Sequence, residues 1–565
     1  MVVMRSSPST RHHPLTTIVA QQHSPPPSAQ PRQPTTTPLV DAITSRANRT
    51  HEAPFHVPGH KRGSNPPPSL LPILSSPLRH DLTELQGLDY LSYPEGPIIE
   101  AQKLAAQAWG AHSTWFLVNG TTVGIHAAVL STCFAPDATL ILARNAHQSG
   151  YNAAALAGCM VEYAVPTVSH GLAHHMTPQA LEEAFFRAEA KGWHPKAALI
   201  VSPTYFGVIS DISGLAAVCH RHNNAVLIVD EAHGAHLHSI DPCLSSLHEG
   251  ADIVIQSTHK QLGALTQGAM LHVSHAAAAQ HSHTAPPLID TARISRVLSV
   301  LQTSSPSYLI MASLDAARAQ LQQDPSSSVV GPSAAAASIR RWFSQHANDN
   351  STTKIRLLSN TLQEEGEGGE SSPVKFDPWR CTLILQHAGR MTGWDLAAQL
   401  EEKYGVVCEL AGYNCVVFAV GTGTTQHHVN QLLHALESVW KQLRSSSSNN
   451  TIPLVSPQTT IDVVLAPRAA LLATSISTVA WSEAEGRISA ELLCPYPPGI
   501  PAICPGERIT RQVIEHLQGI VGREGGEHPT AAVVGAADPL LQTIRVIDLT
   551  STAAAASASA SASAM

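Results

Sequence analysis

The chain is 565 residues long and carries 34 Lys and Arg against 42 Asp and Glu, a formal net charge of −8 with its 32 His neutral. Hydrophobic residues make up 43% of it and charged residues 13%, which supplies a sizeable core and too little positive charge for a nucleic-acid or anionic-membrane binder. No window approaches the ~18 uninterrupted apolar residues of a membrane-crossing helix, and nine scattered cysteines without a Cys-x-x-Cys pair read as reduced thiols in an intracellular compartment.

Residues 1–38 are rich in Pro, Ser, Thr, Gln and His, contain Arg5, Arg11 and Arg32, and precede the first acidic residue, Asp41. Such a segment buries too little apolar surface to offset its chain entropy and is expected to be a disordered tail. An acid-free, Ser-rich, Arg-bearing start also suits an organelle transit peptide. The expected location is therefore the cytoplasm, or a plastid or other organelle if the tail is a targeting segment. From residue 39 to 322, short apolar β-branched runs (139–143, 197–201, 225–229, 252–256, 269–273) alternate with stretches long enough for helices, such as 177–192 and 213–223. Continuous apolar strands of this kind are buried on both faces, and a βαβ repeat predicts a large α/β domain with a mostly parallel sheet. Two smaller units are expected, a small α/β domain over 339–445 and a C-terminal α+β domain over 478–550. The low-complexity stretches 324–338, 364–372 and 445–450 read as surface loops, and 551–565 as a disordered tail.

Four stretches carry chemistry. Residues 251–260 read Ala-Asp-Ile-Val-Ile-Gln-Ser-Thr-His-Lys: a buried strand, two hydroxyls, then His259 and Lys260. The carboxyl end of a parallel strand is where open α/β sheets hold ligands. A lysine desolvated there becomes an amine nucleophile, as a Schiff base with pyridoxal phosphate requires; on this segment alone an ordinary surface lysine fits as well. A second buried run ends at Asp230, whose carboxylate could pair with a protonated pyridine nitrogen, although helix caps and Mg²⁺ ligands share that pattern. The thirty residues from Asp230 to Lys260 leave room for a helix and one more strand, so the two side chains could meet at one sheet edge. His233, three residues on, could reach the ring's phenolic oxygen or serve in packing. The third stretch is Asn119-Gly120-Thr121-Thr122, opening a helix expected over 123–133. Its free N–H groups and hydroxyls make a phosphate cradle; it has no Walker lysine, and Ser257 is a second hydroxyl donor. The fourth is His147, after the 139–143 run, whose imidazole could stack on a flat ring or be one loop histidine among many.

Taken in order, these stretches resemble the ornithine/lysine/arginine decarboxylase family of pyridoxal-phosphate enzymes, with the aspartate-aminotransferase type of fold (fold type I). The resemblance also rests on Pro54-Phe-His-Val-Pro-Gly-His-Lys-Arg-Gly63, Ser202-Pro-Thr-Tyr-Phe-Gly207, Asp230-Glu-Ala-His-Gly-Ala-His236, Ser257-Thr-His-Lys260 and Tyr496-Pro-Pro-Gly-Ile-Pro…Pro505-Gly-Glu507, spread over residues 50–550. It implies Lys260 as the Schiff-base lysine, Asp230 as the ring-nitrogen partner and His147 as the stacking histidine. It further implies Gly120, Thr121, Thr122 and Ser257 at the phosphate, with His233 and His259 lining the cofactor. A homodimer or higher homo-oligomer is implied too, with active sites near the subunit interface.

The departures are a missing extra N-terminal domain, which makes this the shorter form, Gly-Thr-Thr for Gly-Thr-Ser, and Gln148 where a lysine is common. Lys61 also follows a histidine, but no buried strand precedes it. The His174-His175, His220/His222 and His281/His283 groupings lack clustered Cys, Asp or Glu, so no metal is expected. The implied reaction is decarboxylation of lysine, ornithine or arginine to an amine of the polyamine-biosynthesis type, with Glu507 holding the substrate's cationic end. The alternatives are another fold type I reaction (transamination, aldol cleavage or another lyase reaction) and a cofactor-binding paralogue without turnover.

Overall fold

A computed structural model describes residues 36–135, 137–279, 287–347, 355–364, 374–385, 391–445, 461–496, 499–521 and 532–549. Residues 1–35 of the expected N-terminal tail, the whole of 551–565, and almost all of the expected loops 364–372 and 445–450 lie outside the described residues.

Seven strands form the central sheet, in the order Ser113–Leu117, Ala269–Val273, Ile253–Gln256, Val226–Asp230, His194–Val201, Ala138–Ala143, Met160–Ala164. The last five run parallel. Ala269–Val273, expected among the parallel strands, is instead antiparallel to both of its neighbours. A short loop through Gln267 and Gly268 returns the chain directly after Lys260, which leaves no length for a crossover helix.

The alternation of side chains along these strands builds two cores. Leu140, Leu142, Leu199, Ile228, Ile253 and Ile255 face one side, under Gly120–Thr132, Gln148–Ala157 and Thr291–Leu301. Ile141, Ala143, Ala198, Ile200, Leu227, Val229 and Val254 face the other, against Pro178–Ala190 and Ile212–Arg221. Both faces being covered, most of these strands read as apolar runs, and the candidate polar groups gather at their carboxyl ends. The crossover helices start where their caps dictate. Thr177 accepts the N–H of Ala180, ahead of Pro178, and Asp211 accepts that of Gly214.

The small domain is an antiparallel sheet, Ile355–Leu357, Arg380–Leu385, Cys415–Ala419, Leu410–Ala411, covered by helices that include Gly393–Tyr404. The stretch 324–338, expected to be a loop, is helical: a π turn over Ser326–Val330 runs into the helix Gly331–Ala347. Its alanines are strong helix formers, and Ala335, Ala336, Ile339 and Phe343 bury into the small-domain core, so composition that resembles low complexity is an amphipathic face. In the C-terminal region, Ile476–Ala480, Thr543–Ile547 and Ile488–Ser489 form a three-stranded sheet with the helix Arg511–Val521. The helix Pro38–Ala47 is pinned by Leu39 N–H on Asp315 Oδ2 (3.1 Å) and by the buried Arg318 on the Thr36 carbonyl (2.7 Å).

Candidate active site

The register of the parallel strands decides what meets at the sheet edge. Asp230 pairs with Ile255, so the chain leaves the two strands side by side, and Ser257 follows at once with the single turn Thr258–Gln261. The buried Glu231 ties the two strand ends together. It accepts the N–H and hydroxyl of Ser246 (2.8 and 2.7 Å) and the amide of Gln256 (2.5 Å).

Lys260 Nζ lies 2.9 Å from His233 Nε2. Water can reach Lys260, yet most of its surroundings are protein. This desolvation draws its pKa down to about 8. Asp230 and Glu409 oppose the fall, and the Arg380 guanidinium assists it. Asp230 is 5% exposed, accepts the Ala232 N–H at 3.1 Å, and is pushed up to about 6 by burial against the pull of Lys260. Burial and then the charge of Lys260 hold His147 down at about 4, while burial and the charges of Lys260 and Arg380 keep His233 neutral, well below its usual value. Lys260, Asp230, His233 and His147 thus share one electrostatic environment. His147 caps the helix Gln148–Ala157, its Nδ1 accepting the Ser149 N–H at 3.2 Å. His259 is fixed through Nδ1 to the Gly268 carbonyl at 2.9 Å.

The helix Gly120–Thr132 begins earlier in the chain than its apolar run suggests, and Asn119 gives it no side-chain cap. The Gly120 N–H is taken by the Gln267 carbonyl at 3.0 Å, and the N–H groups of Thr121 and Thr122 follow it in this uncapped first turn, next to a hydroxyl pair, Ser257 Oγ on Thr121 Oγ1 at 3.3 Å. Thr122 stands beside them. This helix can lie so close to the sheet only because residue 124 is glycine, where a Cβ would meet Ile255 and Leu117 at 2.7 Å.

Three residues not singled out from the sequence join this site. Arg380, 3% exposed, opens a small-domain strand and sets Nη2 2.7 Å from His233 Nδ1. Tyr205 packs its ring edgewise on His233, centroids 4.5 Å apart, and donates its hydroxyl to Glu409 Oε1 at 2.7 Å. Glu409, exposed at the rim, is the small-domain carboxylate whose field reaches Lys260. The sequence holds faint signals for each: a charge at the head of an apolar strand run, a tyrosine inside Ser202-Pro-Thr-Tyr-Phe-Gly207, and an acidic residue between apolar neighbours.

The small domain is fastened where Arg380 enters. His236 Nε2 and Asp377 Oδ1 lie 2.8 Å apart with both residues buried, Trp379 stacks on His236 at 4.4 Å, and Phe376 pairs with Val208. Gly207, at φ +85°, lets the Arg380 side chain pass, since a Cβ there would come within 2.6 Å of it.

Glu507 has a different setting from the one expected. It is buried, its Oε2 taking the Cys504 N–H at 3.0 Å and Arg144 Nη2 at 3.4 Å. Arg144 also holds Tyr151 and the carbonyls of Pro501 and Ala502, so this pair fastens the C-terminal segment onto the large domain through Glu507 Oε2, while Oε1 is buried without a hydrogen-bond partner among the described residues. Gln148 presents its backbone N–H to the Gly499 carbonyl at 3.1 Å. Lys61 donates to the His56 carbonyl at 2.6 Å.

With this geometry in view, comparison with known proteins is decisive. The model of the Orn/Lys/Arg decarboxylase major domain matches residues 37–428, and that of the family's C-terminal domain matches 456–524. The chain belongs to the Orn/Lys/Arg decarboxylase family. Family membership makes it an amino acid decarboxylase and implies dependence on pyridoxal phosphate. Among its relatives, the arginine decarboxylase of Bacillus subtilis is 31% identical over 518 residues, covering 90% of this chain and 98% of that one. Lysine decarboxylase LdcA of Pseudomonas aeruginosa is 25% identical over 538 residues, covering 78% of this chain and 69% of its own. The structure of the Escherichia coli constitutive lysine decarboxylase superposes with a TM-score of 0.74 at 19% identity, over 91% of this chain and 82% of that one. This likeness establishes the expected fold type I architecture. No helix among the described residues is long and apolar enough to cross a membrane.

Proposed function

We propose that this decarboxylase acts on a basic amino acid, arginine before lysine or ornithine, with Lys260 as the reacting amine and Asp230 as the anchor of the cofactor ring. The observation that carries the reading is the meeting of Lys260, His233 and Asp230 at one sheet edge. The preference for arginine is supported by relatives of that name at about this chain's full length.

The residues present fit pyridoxal phosphate. Asp230 is a buried carboxylate with a single hydrogen-bond donor among the described residues, suited to a cationic ring nitrogen. The uncapped first turn at Thr121 and Thr122, with Ser257, suits a phosphate dianion, Gly120 giving its own N–H to the Gln267 carbonyl, and His147 offers a flat ring. When bound, the cofactor supplies the electron sink that takes up the pair released as carbon dioxide leaves. This chain's own residues do the rest. Lys260 Nζ, free of its proton in part near pH 8, is the attacking amine. Lys260 Nζ or His233 Nε2 returns a proton to Cα, where the carboxylate was lost. The net change is one proton taken up, one amine and one carbon dioxide released.

Glu409, not Glu507, is then the carboxylate for the substrate's cationic end, since it is exposed at the rim and held in place by Tyr205. Glu409→Gln should raise KM for the basic substrate about 10-fold and change kcat by less than about 3-fold, as expected for loss of one charge-assisted contact made equally in ground and transition states. Steady-state kinetics on the purified variant check this. The same reading takes the protein as a homodimer or larger assembly. The exposed Phe55, Val57, Ile73 and Tyr93 support it, being apolar surface that such contact would cover.

Release of labelled carbon dioxide from arginine, lysine and ornithine, each measured separately, tests the function. The highest kcat/KM is expected with arginine; release from none of the three refutes the reading.

A further inference from the structure

Both ring nitrogens of His233 face nitrogen donors. Arg380 Nη2 sits 2.7 Å from Nδ1, and Lys260 Nζ sits 2.9 Å from Nε2. A guanidinium has only N–H groups to offer and no lone pair to accept with. Nδ1 must therefore be the bare nitrogen, which leaves the ring's one proton on Nε2. An N–H at Nε2 pointing at Lys260 needs a lone pair on Nζ, and an ammonium has none. Burial of all but the Lys260 flank removes water as an alternative partner for the ring, and His233 is itself 5% exposed.

We propose that Arg380 is a positioning residue that acts through His233: by occupying Nδ1 it keeps the imidazole proton on Nε2, and so holds Lys260 as the uncharged amine able to attack an aldehyde. The arrangement is built rather than incidental. Arg380 is seated by the Asp377–His236 pair and the Trp379 stack, and passes through a gap that glycine at 207 leaves open. Tyr205 packs its ring edgewise against the His233 ring, centroids 4.5 Å apart. The lowered affinity of Lys260 for its proton has burial as its first cause, and the charge of Arg380 adds to it directly, which is why the experiment separates charge from action through the ring. Other charges face Lys260 as well: Asp230 from the large-domain strand and Glu409 from the small domain, both favouring the ammonium, with His147 and His259 close by. The proposal rests on Lys260 being the reacting amine, and the experiment separates the two.

The full-length chain, freed of cofactor, is trace-acetylated with acetic anhydride across pH 6–11, and acetylation of Lys260 is quantified by mass spectrometry. The wild type should show a midpoint near 8. Arg380→Gln should raise the midpoint by about one pH unit or more, because the ring proton can then sit on Nδ1 and leave Nε2 a lone pair for an ammonium. Arg380→Lys, which keeps a cationic donor, should restore most of the lowering. In a His233→Ala background, Arg380→Gln should move the midpoint by less than half as much, since the intermediary is gone. An equal displacement with and without His233 overturns the proposal, because Arg380 would then act by charge alone; no displacement in the His233-containing protein overturns it too. A wild-type midpoint near that of ordinary lysines would instead overturn the reading of Lys260 itself. Melting temperatures of the variants within a few degrees of wild type show that the changes come from folded protein.

Discussion

Replacing Lys260 with alanine should abolish the cofactor adduct that borohydride traps and lower kcat by at least about 10⁴, the scale seen when a covalent nucleophile is removed. The argument is positional. Lys260 follows a strand buried along its whole length and stands at the carboxyl edge, beside the end of the strand that carries Asp230. Its amine is held at His233, where water can reach it. Lys61, the other lysine after a histidine, donates its amine to a backbone carbonyl of its own turn, and Lys61→Ala should keep the adduct. Peptide mapping of the reduced protein reads out both results. Persistence of the adduct in Lys260→Ala would refute the assignment. A pH dependence follows as well. Desolvation depresses the proton affinity of Lys260, so the rate at which the cofactor-free protein takes up pyridoxal phosphate should climb through pH 8 and level off above it.

The parts legible in the sequence are those governed by local pattern. Strands buried on both faces announce themselves as unbroken apolar runs, and the ends of two such runs place Asp230 and Lys260 at one edge. The direction of Ala269–Val273 is not legible, because an apolar run carries no sign of the strand's orientation. The helix Gly331–Ala347 is hidden because Ala and Ser signal low complexity as readily as a helix that packs by its alanine face. Arg380 and Glu409 are out of reach for another reason: they come to Lys260 from around a second, antiparallel sheet, more than a hundred residues away in the chain. The His236–Asp377 pair and the passage beside Gly207 bring them there. Glu507 shows the converse. A conspicuous motif suggests a ligand contact, but one oxygen of its carboxylate is held inside the protein by Arg144 and the Cys504 N–H.

Asp230→Asn should move activity and stability in opposite directions. Asparagine keeps the shape and can still accept the Ala232 N–H, so the site should survive with its charge removed. Without a carboxylate beside it, the ring nitrogen loses the partner that keeps it protonated, and kcat should fall about 10²–10³-fold, the cost of deleting one preorganised electrostatic contact. The sign of the stability effect follows from the effect of burial. Burial raises Asp230 to about 6 in the folded chain, so folding favours the protonated acid. The ionised group costs nothing below its unfolded value, a growing amount as pH rises through the interval up to about 6, and a constant amount beyond. A rise from 3.8 to about 6 corresponds to about 3 kcal/mol against the ionised form, with the attraction to Lys260 already counted in it. The asparagine amide, also buried, carries a smaller desolvation cost of its own. The cofactor-free Asp230→Asn protein should therefore be about 1–3 kcal/mol more stable than wild type at pH 7.5, with the gain vanishing toward pH 4 as the wild-type carboxyl takes up its proton. Denaturant unfolding at the two pH values measures it. A variant that lost stability at pH 7.5 along with activity would mark Asp230 as part of the scaffold. A gain in stability with loss of turnover is what a carboxylate held buried for a cationic ring must show.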